Sequence, residues 1–123
     1  MQQSNVRRLP CVSTGQYLAV IFREASDIKY MIQLGVVTDY DENGSVIGVE
    51  VIGPEFHAKA HIFAGFNWEE INNATGMHFS FDKDNDAFYL SVVPGVRSVD
   101  QRVHPGRLIL NGQSELISIE AML

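Results

Sequence analysis

Residues 39–50 carry the most specific pattern of chemically active side chains in the sequence. Acidic or amide side chains stand at the first, third and fifth positions, a glycine at the sixth and a glutamate at the last, as in the calcium-binding loop of an EF-hand. These residues are Asp39, Asp41, Asn43, Gly44 and Glu50. An EF-hand loop needs a helix on each side, whereas residues 36–38 and 49–52 are rich in β-branched side chains, which favour strands. The pattern therefore predicts a β-hairpin with a polar turn, and no metal or cofactor is expected.

A second concentration of charge lies between residues 69 and 86. Five acidic residues and one lysine give this stretch a net charge of −4. Acidic side chains beside an aromatic residue predict a surface that attracts a basic protein. The predicted protein-binding residues are Trp68, Glu69, Glu70, Asp82, Asp84 and Asp86. The alternatives are a tight polar turn for the three aspartates and core packing for Trp68.

Three arginines recur at five-residue spacing in the second half of the chain. Arg97, Arg102 and Arg107 flank His104 and could form an anion-binding face for a nucleotide or a phosphate. A solvated strand face is the alternative interpretation of the same spacing.

The sequence offers no nucleophile with a base beside it. Cys11 is the single cysteine, which excludes an intramolecular disulfide and a cysteine-based zinc site. His57 and His61 have the spacing of two metal ligands on a helix, but Ala58 stands where a His-Glu-x-x-His site has its glutamate. We therefore expect a protein that is not an enzyme.

Composition narrows the classes of partner. The 123 residues include 9 lysines and arginines against 15 aspartates and glutamates, for a net charge of −6. This surplus of acid argues against nucleic-acid binding, which needs a basic surface. The longest apolar run, Leu18 to Phe22, is far shorter than the roughly 20 residues that span a bilayer, and the polar first residues do not resemble a secretion signal. We expect a cytoplasmic protein that binds neither nucleic acid nor membranes.

Strand signals dominate the rest of the sequence. Two of the turns between β-prone runs contain Asn-Gly, the strongest short-range signal for a hairpin. The predicted strands are Tyr17–Phe22, Ile28–Gln33, Val36–Tyr40, Val46–Ile52, His78–Phe81, Ala87–Val92, Val96–Val103, Arg107–Leu110 and Glu115–Glu120, with a break at Pro105-Gly106. One short helix is expected over residues 68–74, because Asn67 can cap it and Gly76 can end it. The stretch from Glu55 to Phe66 fits either a strand or a helix.

The two halves of the sequence resemble each other. Placing Glu50 on Glu120 aligns two aliphatic strands, and a further shift of two residues aligns Tyr17 with Tyr89. Chance similarity between hairpins is the alternative to duplication. The predicted fold is α+β and mainly antiparallel β, with two pseudo-repeated β-hairpin units and one short helix between them in one compact domain. Its predicted parts are an N-terminal arm (1–15), a first β-unit (16–53), a connecting segment with the helix (54–76) and a second β-unit (77–123).

Residues 81–90 and 116–120 carry a family resemblance. The first range reads as a strand end, an acidic turn and an Asp-Ala-Phe-Tyr-Leu strand, and the second as an aliphatic strand that ends in Ile-Glu. In both respects the second half resembles the YuzE-like proteins, a small bacterial domain family of unknown function. Residues 37–50 resemble the closing part of that family, but Gly15-Gln16 stand where Asp-Ala is expected, and residues 53–76 have no counterpart. The resemblance implies two tandem copies of the domain and implies no activity.

The combined features predict a non-catalytic protein-interaction module. In its most specific form it is an acidic inhibitory partner, of the antitoxin or toxin-immunity type, of a basic protein such as a toxin or a nuclease. The alternative is a protein that binds or sequesters a small molecule or a nucleotide on the arginine-lined face. Exposed edge strands could also support a homodimer.

Overall fold

The strand-forming segments combine into one antiparallel sheet of eight strands, which curls around an apolar core. The computed structural model describes residues 9–123, so residues 1–8 of the predicted arm lie outside the described residues. The elements are β1 (Cys11–Ser13), β2 (Tyr17–Ile21), β3 (Ile28–Tyr40), β4 (Val46–Ile52), α1 (Pro54–Ala58), α2 (Trp68–Thr75), β5 (His78–Asp82), β6 (Ala87–Ser91), β7 (Asp100–Asn111) and β8 (Leu116–Met122). The prediction of a mainly antiparallel fold with little helix is confirmed.

The centre of the sheet is the pair formed by β7 and β3, and the strands lie in an equivalent order on its two sides. β3 is followed outward by β4, β6 and β5, and β7 is followed by β8, β2 and β1. Each hairpin is therefore bordered by a strand from the other half of the chain, because β6 lies beside β4 and β2 lies beside β8. Residues 16–53 and 77–123 share one sheet instead of forming one each.

The two hairpins pair in the same way, and the residue numbers of corresponding pairs differ by a constant. Val37 pairs with Glu50 in the β3–β4 hairpin, and Arg107 pairs with Glu120 in the β7–β8 hairpin, 70 positions later in both strands. We call two residues equivalent when this offset of 70 relates them.

The strands that border the hairpins keep the same offset. Met122 pairs with Tyr17, and Ile52 pairs with Ala87, so Tyr17 and Ala87 are equivalent. Similarity of side chains matches Tyr17 with Tyr89 instead, two residues further along. A shift of two residues keeps every side chain on its own face of the sheet, so the sequence pattern alone does not distinguish these two registers.

β3 and β7 are each longer than the sequence predicts. β7 runs through Pro105 and Gly106, where the sequence predicts a break. Pro105 is tolerated because the pairing of β7 with β8 ends at Gly106, so only β3 borders the strand at the proline. Gly106 is required because a Cβ atom there would lie 2.5 Å from the carbonyl oxygen of Glu120 and 2.5 Å from Cγ2 of Val36.

The structure has two short helices where the sequence predicts one. α2 begins at the predicted residue, where the Asn67 side chain accepts a hydrogen bond from the backbone N–H of Glu70 at 3.0 Å. It ends at Thr75, one residue later than predicted, and the predicted Gly76 closes it with a φ of 72°. The ambiguous stretch before it contains α1, a short helix with Pro54 in its first turn.

Aromatic side chains of the connecting segment close the core of the curled sheet. Phe63 stacks on Phe88 of β6 with ring centroids 5.1 Å apart and an interplanar angle of 3°. Trp68 stacks on Phe79 of β5 at 6.4 Å and on Phe66 at 5.3 Å. Trp68 thus packs in the aromatic core, the alternative that the sequence allows for it.

The two hairpin turns use one polar side chain each in the same way. The Asp41 carboxylate accepts hydrogen bonds from the backbone N–H groups two and four residues later, at 2.9 Å each. The Asn111 side-chain oxygen accepts the equivalent two bonds at 3.0 and 2.9 Å. The left-handed position is Gly44 (φ 78°) in the first turn and Ser114 (φ 60°) in the second. The second turn therefore does not place its Asn-Gly pair where the first one does, because Asn111 is equivalent to Asp41.

Candidate functional site

The fold divides the predicted acidic surface into exposed residues and residues that hold turns together. Glu69 and Glu70 are exposed in the first turn of α2, where negative charge complements the helix dipole. Asp84 is exposed in the turn between β5 and β6. Trp68 belongs to the aromatic core described above and does not present its ring as an exposed anchor.

The other two aspartates make hydrogen bonds within the fold. The Asp82 carboxylate accepts hydrogen bonds from the side chain of Asn85 at 2.6 Å and from the backbone N–H of Asp84 at 3.1 Å, and the bond from Asn85 lowers the pKa of Asp82. The Asp86 carboxylate caps the start of α1 by accepting from the backbone N–H groups of residues 55–56, at 3.1 and 2.9 Å. The tight polar turn given as the alternative describes the Asp82 side chain, whereas the Asp86 side chain holds the start of α1.

The three arginines do not converge on one face. Arg97 is exposed in the loop before β7. Arg102 and Arg107 are five positions apart in β7, which places them on opposite faces of the sheet. Arg102 pairs with Asp100 (Nε to Oδ2, 2.9 Å) and Arg107 pairs with Glu120 (Nε to Oε1, 3.0 Å).

The calcium-loop pattern at residues 39–50 forms the β3–β4 hairpin that the flanking residues predict. Asp39 and Glu50 lie one diagonal step apart on the same face of the sheet. The Asp39 carboxylate accepts hydrogen bonds from Ser98 Oγ at 3.3 Å and from Gln101 Nε2 at 3.0 Å. Within residues 9–123, no three metal-ligating side chains of the His, Cys, Asp and Glu types lie together as a metal site.

The face of the sheet that points away from the core, which we call the outer face, exposes large apolar side chains. Directly paired residues share a face, so the ladders assign each side chain to one side. Six large apolar side chains on the outer face are between 42% and 71% exposed: Tyr17, Met31, Ile52, Tyr89, Val103 and Met122. Large apolar side chains exposed on one face in this number mark a candidate surface for interaction with other molecules.

A groove with a volume of about 750 Å³ crosses the middle of the outer face. The directly paired residues Gly35 and Pro105 line it, and Gly35 contributes no side chain to fill it. Tyr17, Met122 and Val103 line it with larger apolar side chains. The groove is therefore a concave apolar surface that a side chain of a partner can enter.

Around these apolar residues, the outer face has more negative than positive charge. The ladders place four carboxylates and one guanidinium on it: Asp39, Glu50, Asp82, Glu120 and Arg107. Arg107 neutralises Glu120, whereas Val37 stands at the position equivalent to Arg107, beside Glu50. In the part of the chain that the structure describes, no side chain forms an ion pair or a hydrogen bond with Glu50.

Sequence reasoning missed the outer face, because β3 has apolar side chains on both of its faces and such a strand resembles a fully buried one. A signal was present in the comparison of the two halves, where a valine in one stands for an arginine in the other. Which face of β3 is buried depends on which side of the sheet the connecting segment (residues 54–76) covers, and the sequence does not give that side.

Comparison with protein-family models, with curated proteins and with solved structures finds no match to this chain. Neither helix in residues 9–123 is long and apolar enough to cross a membrane. What the chain binds is therefore inferred from its own surface.

Proposed function

We propose that the protein is a non-catalytic interaction module that binds a basic protein on its outer face. The observation that carries this proposal is that one sheet face combines exposed apolar side chains, a central groove and a surplus of carboxylates. Apolar side chains at the centre of an interface supply most of the binding free energy, and charges at its rim guide association and select the partner. The surplus of carboxylates favours a basic partner over a second copy of this chain, whose own outer face would repel it.

The inhibitory role is the most specific form of this proposal. A basic toxin or nuclease binds its substrate on a cationic surface, and an acidic, partly apolar sheet face has the complementary chemistry to cover it. Whether the partner is a toxin stays a prediction, and the identity of the partner tests it. Glu69 and Asp84 are exposed and negatively charged, and they add to the long-range attraction of a basic protein.

Binding of a small anionic molecule is the competing proposal, because Arg107 lines the groove. The ion pair of Arg107 with Glu120 weakens this alternative, since the guanidinium already has a carboxylate partner. A nucleotide that binds only the folded state raises the melting temperature, so a thermal-shift titration with ATP separates the two proposals.

We also propose that the chain contains two copies of one strand-hairpin unit. The constant offset of 70 residues between the two hairpins, and between the strands that border them, supports the duplication. The equivalent hydrogen bonds of Asp41 and Asn111 in the two turns support it independently. The resemblance of each copy to the YuzE-like domain stays a prediction.

Site-directed photocrosslinking tests the protein-binding proposal. A benzophenone side chain at Val103, the most exposed of the six apolar residues at 71%, reports contacts of the outer face in the cell. The same group at Ala74, which is exposed on α2, is the control for random contacts. We expect a basic protein to be crosslinked from position 103 and not from position 74, and the purified pair to bind less tightly as salt is raised.

Three results would overturn the proposal. They are crosslinks from position 103 only to further copies of this chain, crosslinks only to acidic proteins, and no crosslink that exceeds the control. Each would show that the outer face does not select a basic protein.

A further inference from the structure

We infer that the outer face recognises an arginine side chain of its partner beside Glu50, with an apolar side chain of the same partner in the central groove. This inference rests on the proposed function, because it names the chemical groups that the basic partner must present. Three features of the sheet carry it: an internal ion pair that one hairpin has and the other lacks, a recess beside the unpaired carboxylate, and the position of that recess relative to the groove.

The β7–β8 hairpin shows what the β3–β4 hairpin lacks. Glu120 and Glu50 are equivalent, and each is directly paired with a residue of the neighbouring long strand. In β7 that residue is Arg107, whose Nε lies 3.0 Å from Glu120 Oε1. In β3 it is Val37, and Glu50 therefore has a carboxylate in the same backbone geometry without the guanidinium. A partner that supplies a guanidinium completes this pair from outside.

The surface beside Glu50 has room for that group. A recess of about 240 Å³ is lined by Asp39, Glu50 and Tyr89, among others. Gly48 lies between the two carboxylates in the ladder, and a Cβ atom there would be 2.9 Å from Asp39 Oδ2, so the recess depends on the missing side chain. Ser98 and Gln101 hold the other oxygen of Asp39 by hydrogen bonds and fix the orientation of the carboxylate.

The lining favours arginine over lysine. A guanidinium is planar, can donate two parallel hydrogen bonds to a carboxylate and stacks on aromatic rings, whereas an ammonium is a strongly hydrated point charge. Tyr89 is directly paired with Glu50 and is 42% exposed, so its ring is available to a cation at that carboxylate. The same chain already stacks a guanidinium on a tyrosine elsewhere, since the Arg102 guanidinium carbon lies 5.1 Å from the ring centroid of Tyr40.

The recess and the groove can be reached by one segment of a partner. Val103, Val37, Glu50 and Tyr89 form one row of directly paired residues across four strands. Neighbouring strands are roughly 4.8 Å apart, so Glu50 is about 10 Å from Val103 at the edge of the groove. The partner must therefore present an arginine and an apolar side chain about 10 Å apart on one surface.

A peptide titration followed by NMR tests the inference on the full chain. The probe is an acetylated and amidated heptapeptide with one arginine and two leucines, and its control carries citrulline, which has the shape of arginine without the charge. We expect the arginine peptide to shift the amide resonances of Val37, Glu50 and Tyr89 along the predicted row, and those of Gly35 and Val103 in the groove. The citrulline peptide should bind about tenfold more weakly.

Two variants locate the binding to Glu50. Glu50→Gln removes the charge, and Val37→Arg supplies the missing guanidinium from within the chain. Both variants should therefore bind the arginine peptide at least fivefold more weakly. Glu24→Gln and Ala74→Arg change the net charge by the same amounts at exposed positions outside the outer face, and should change the affinity less than twofold. The pattern of amide resonances shows directly whether each variant is folded.

Equal affinity of the Glu50→Gln variant, or equal binding of the two peptides, would overturn the inference. So would resonance shifts confined to α2 around Glu69. If a basic protein is still crosslinked from position 103 in that case, the proposed function stands and only the arginine site is wrong. If the arginine peptide does not bind and no basic protein is crosslinked, both fail.

Discussion

The β3–β4 and β7–β8 hairpins have the same pairing register, but the equivalent glutamate is neutralised by an arginine in only one of them. In β7–β8, Arg107 neutralises Glu120 within the sheet, and in β3–β4, Val37 leaves Glu50 without a cation. The backbone pairing determines the position of each side chain, and the same pairing accepts a valine in one hairpin and an arginine in the other. The same backbone geometry therefore holds a neutralised carboxylate in one hairpin and an unneutralised carboxylate in the other.

At the centre of the sheet, the two halves have to differ for steric reasons. Val36 and Gly106 are equivalent, and they lie diagonally across the central pair of Gly35 and Pro105. Because a Cβ atom at Gly106 would collide with the Val36 side chain, only one of the two equivalent positions can have a side chain. The valine on one strand fills the space that the glycine on the other leaves.

The largest expected effect on the free energy of unfolding comes from a substitution at Gly106, one of these two equivalent positions. Gly106→Ala places a methyl group 2.5 Å from a backbone oxygen and from Val36, so it should lower the free energy of unfolding by about 3 kcal/mol. Gly35→Ala is the matched control in the neighbouring strand, where the nearest atom to the new Cβ is Val103 Cγ1 at 3.4 Å, and should stay within about 0.5 kcal/mol of the original chain. Urea unfolding of both variants measures the difference, and equal losses would contradict the steric account.

The two turns differ in how deeply their polar residue is buried. Asn111 is only 8% exposed and accepts two backbone hydrogen bonds, so Asn111→Ala should cost about 2 kcal/mol of unfolding free energy. Asp41 accepts the equivalent bonds nearer to solvent, where water replaces the lost partner, and Asp41→Ala should cost about 1 kcal/mol or less. Chemical denaturation ranks the two variants, and a reversed order would show that burial does not set the cost.

The left-handed position of the turns offers a smaller, opposite pair of changes. Ser114 has a φ of 60° and carries a Cβ atom there, so Ser114→Gly should raise the free energy of unfolding by about 0.5 kcal/mol. Gly44→Ala in the other turn should lower it by about 1 kcal/mol. Thermal unfolding of the two variants should give melting temperatures that move in opposite directions. A fall in both would mean that the Ser114 side chain contributes more than its strain costs.

The smallest effect is a difference in acid sensitivity between the turns. A hydrogen bond from the Asn111 amide, and then the charge of Arg23, lower the pKa of Glu115, whereas the equivalent residue in the other turn is Ser45. A lowered pKa stabilises the folded state above the pKa of the unfolded chain, and this contribution is lost as the pH falls through the folded value. Glu115→Gln should therefore narrow the difference in unfolding free energy between pH 7 and pH 3, while Ser45→Ala should leave it unchanged. An undiminished difference in Glu115→Gln would assign the acid sensitivity to other carboxylates.

Local signals predicted the local structure well. The turn at Gly44 and the capped helix α2 depend on a few neighbouring residues, and the sequence contains all of the information that they need. The length of β7 depends instead on where its pairing with β8 ends, because Pro105 lies just beyond the last paired residue, Gly106. No pattern within β7 contains that information.

The candidate site could not be predicted from the sequence either, because it also depends on pairing between distant strands. Glu50 is a candidate binding residue because its neighbours are Val37 and Tyr89, and these lie beside it only when β3, β4 and β6 have paired. Asp82 and Asp86 are acidic in the sequence, but their carboxylates are directed to backbone N–H groups that the turn and α1 bring to them. The charge of the chain predicts a basic partner, which stays a prediction, and the proposed binding surface could be located only from the strand pairing.

The pairing of β2 with β8 has a consequence for synthesis. Tyr17 meets Met122, so the sheet cannot close on that side until residue 122 has left the ribosome, and β4 likewise waits for β6. Contacts between distant parts of a chain slow folding, since a long loop must be ordered before they form. Until then β2 has no β8 to pair with, and its apolar side chains stay exposed to aggregation. Neither half can complete its share of the sheet before the strands of the other half have been synthesised.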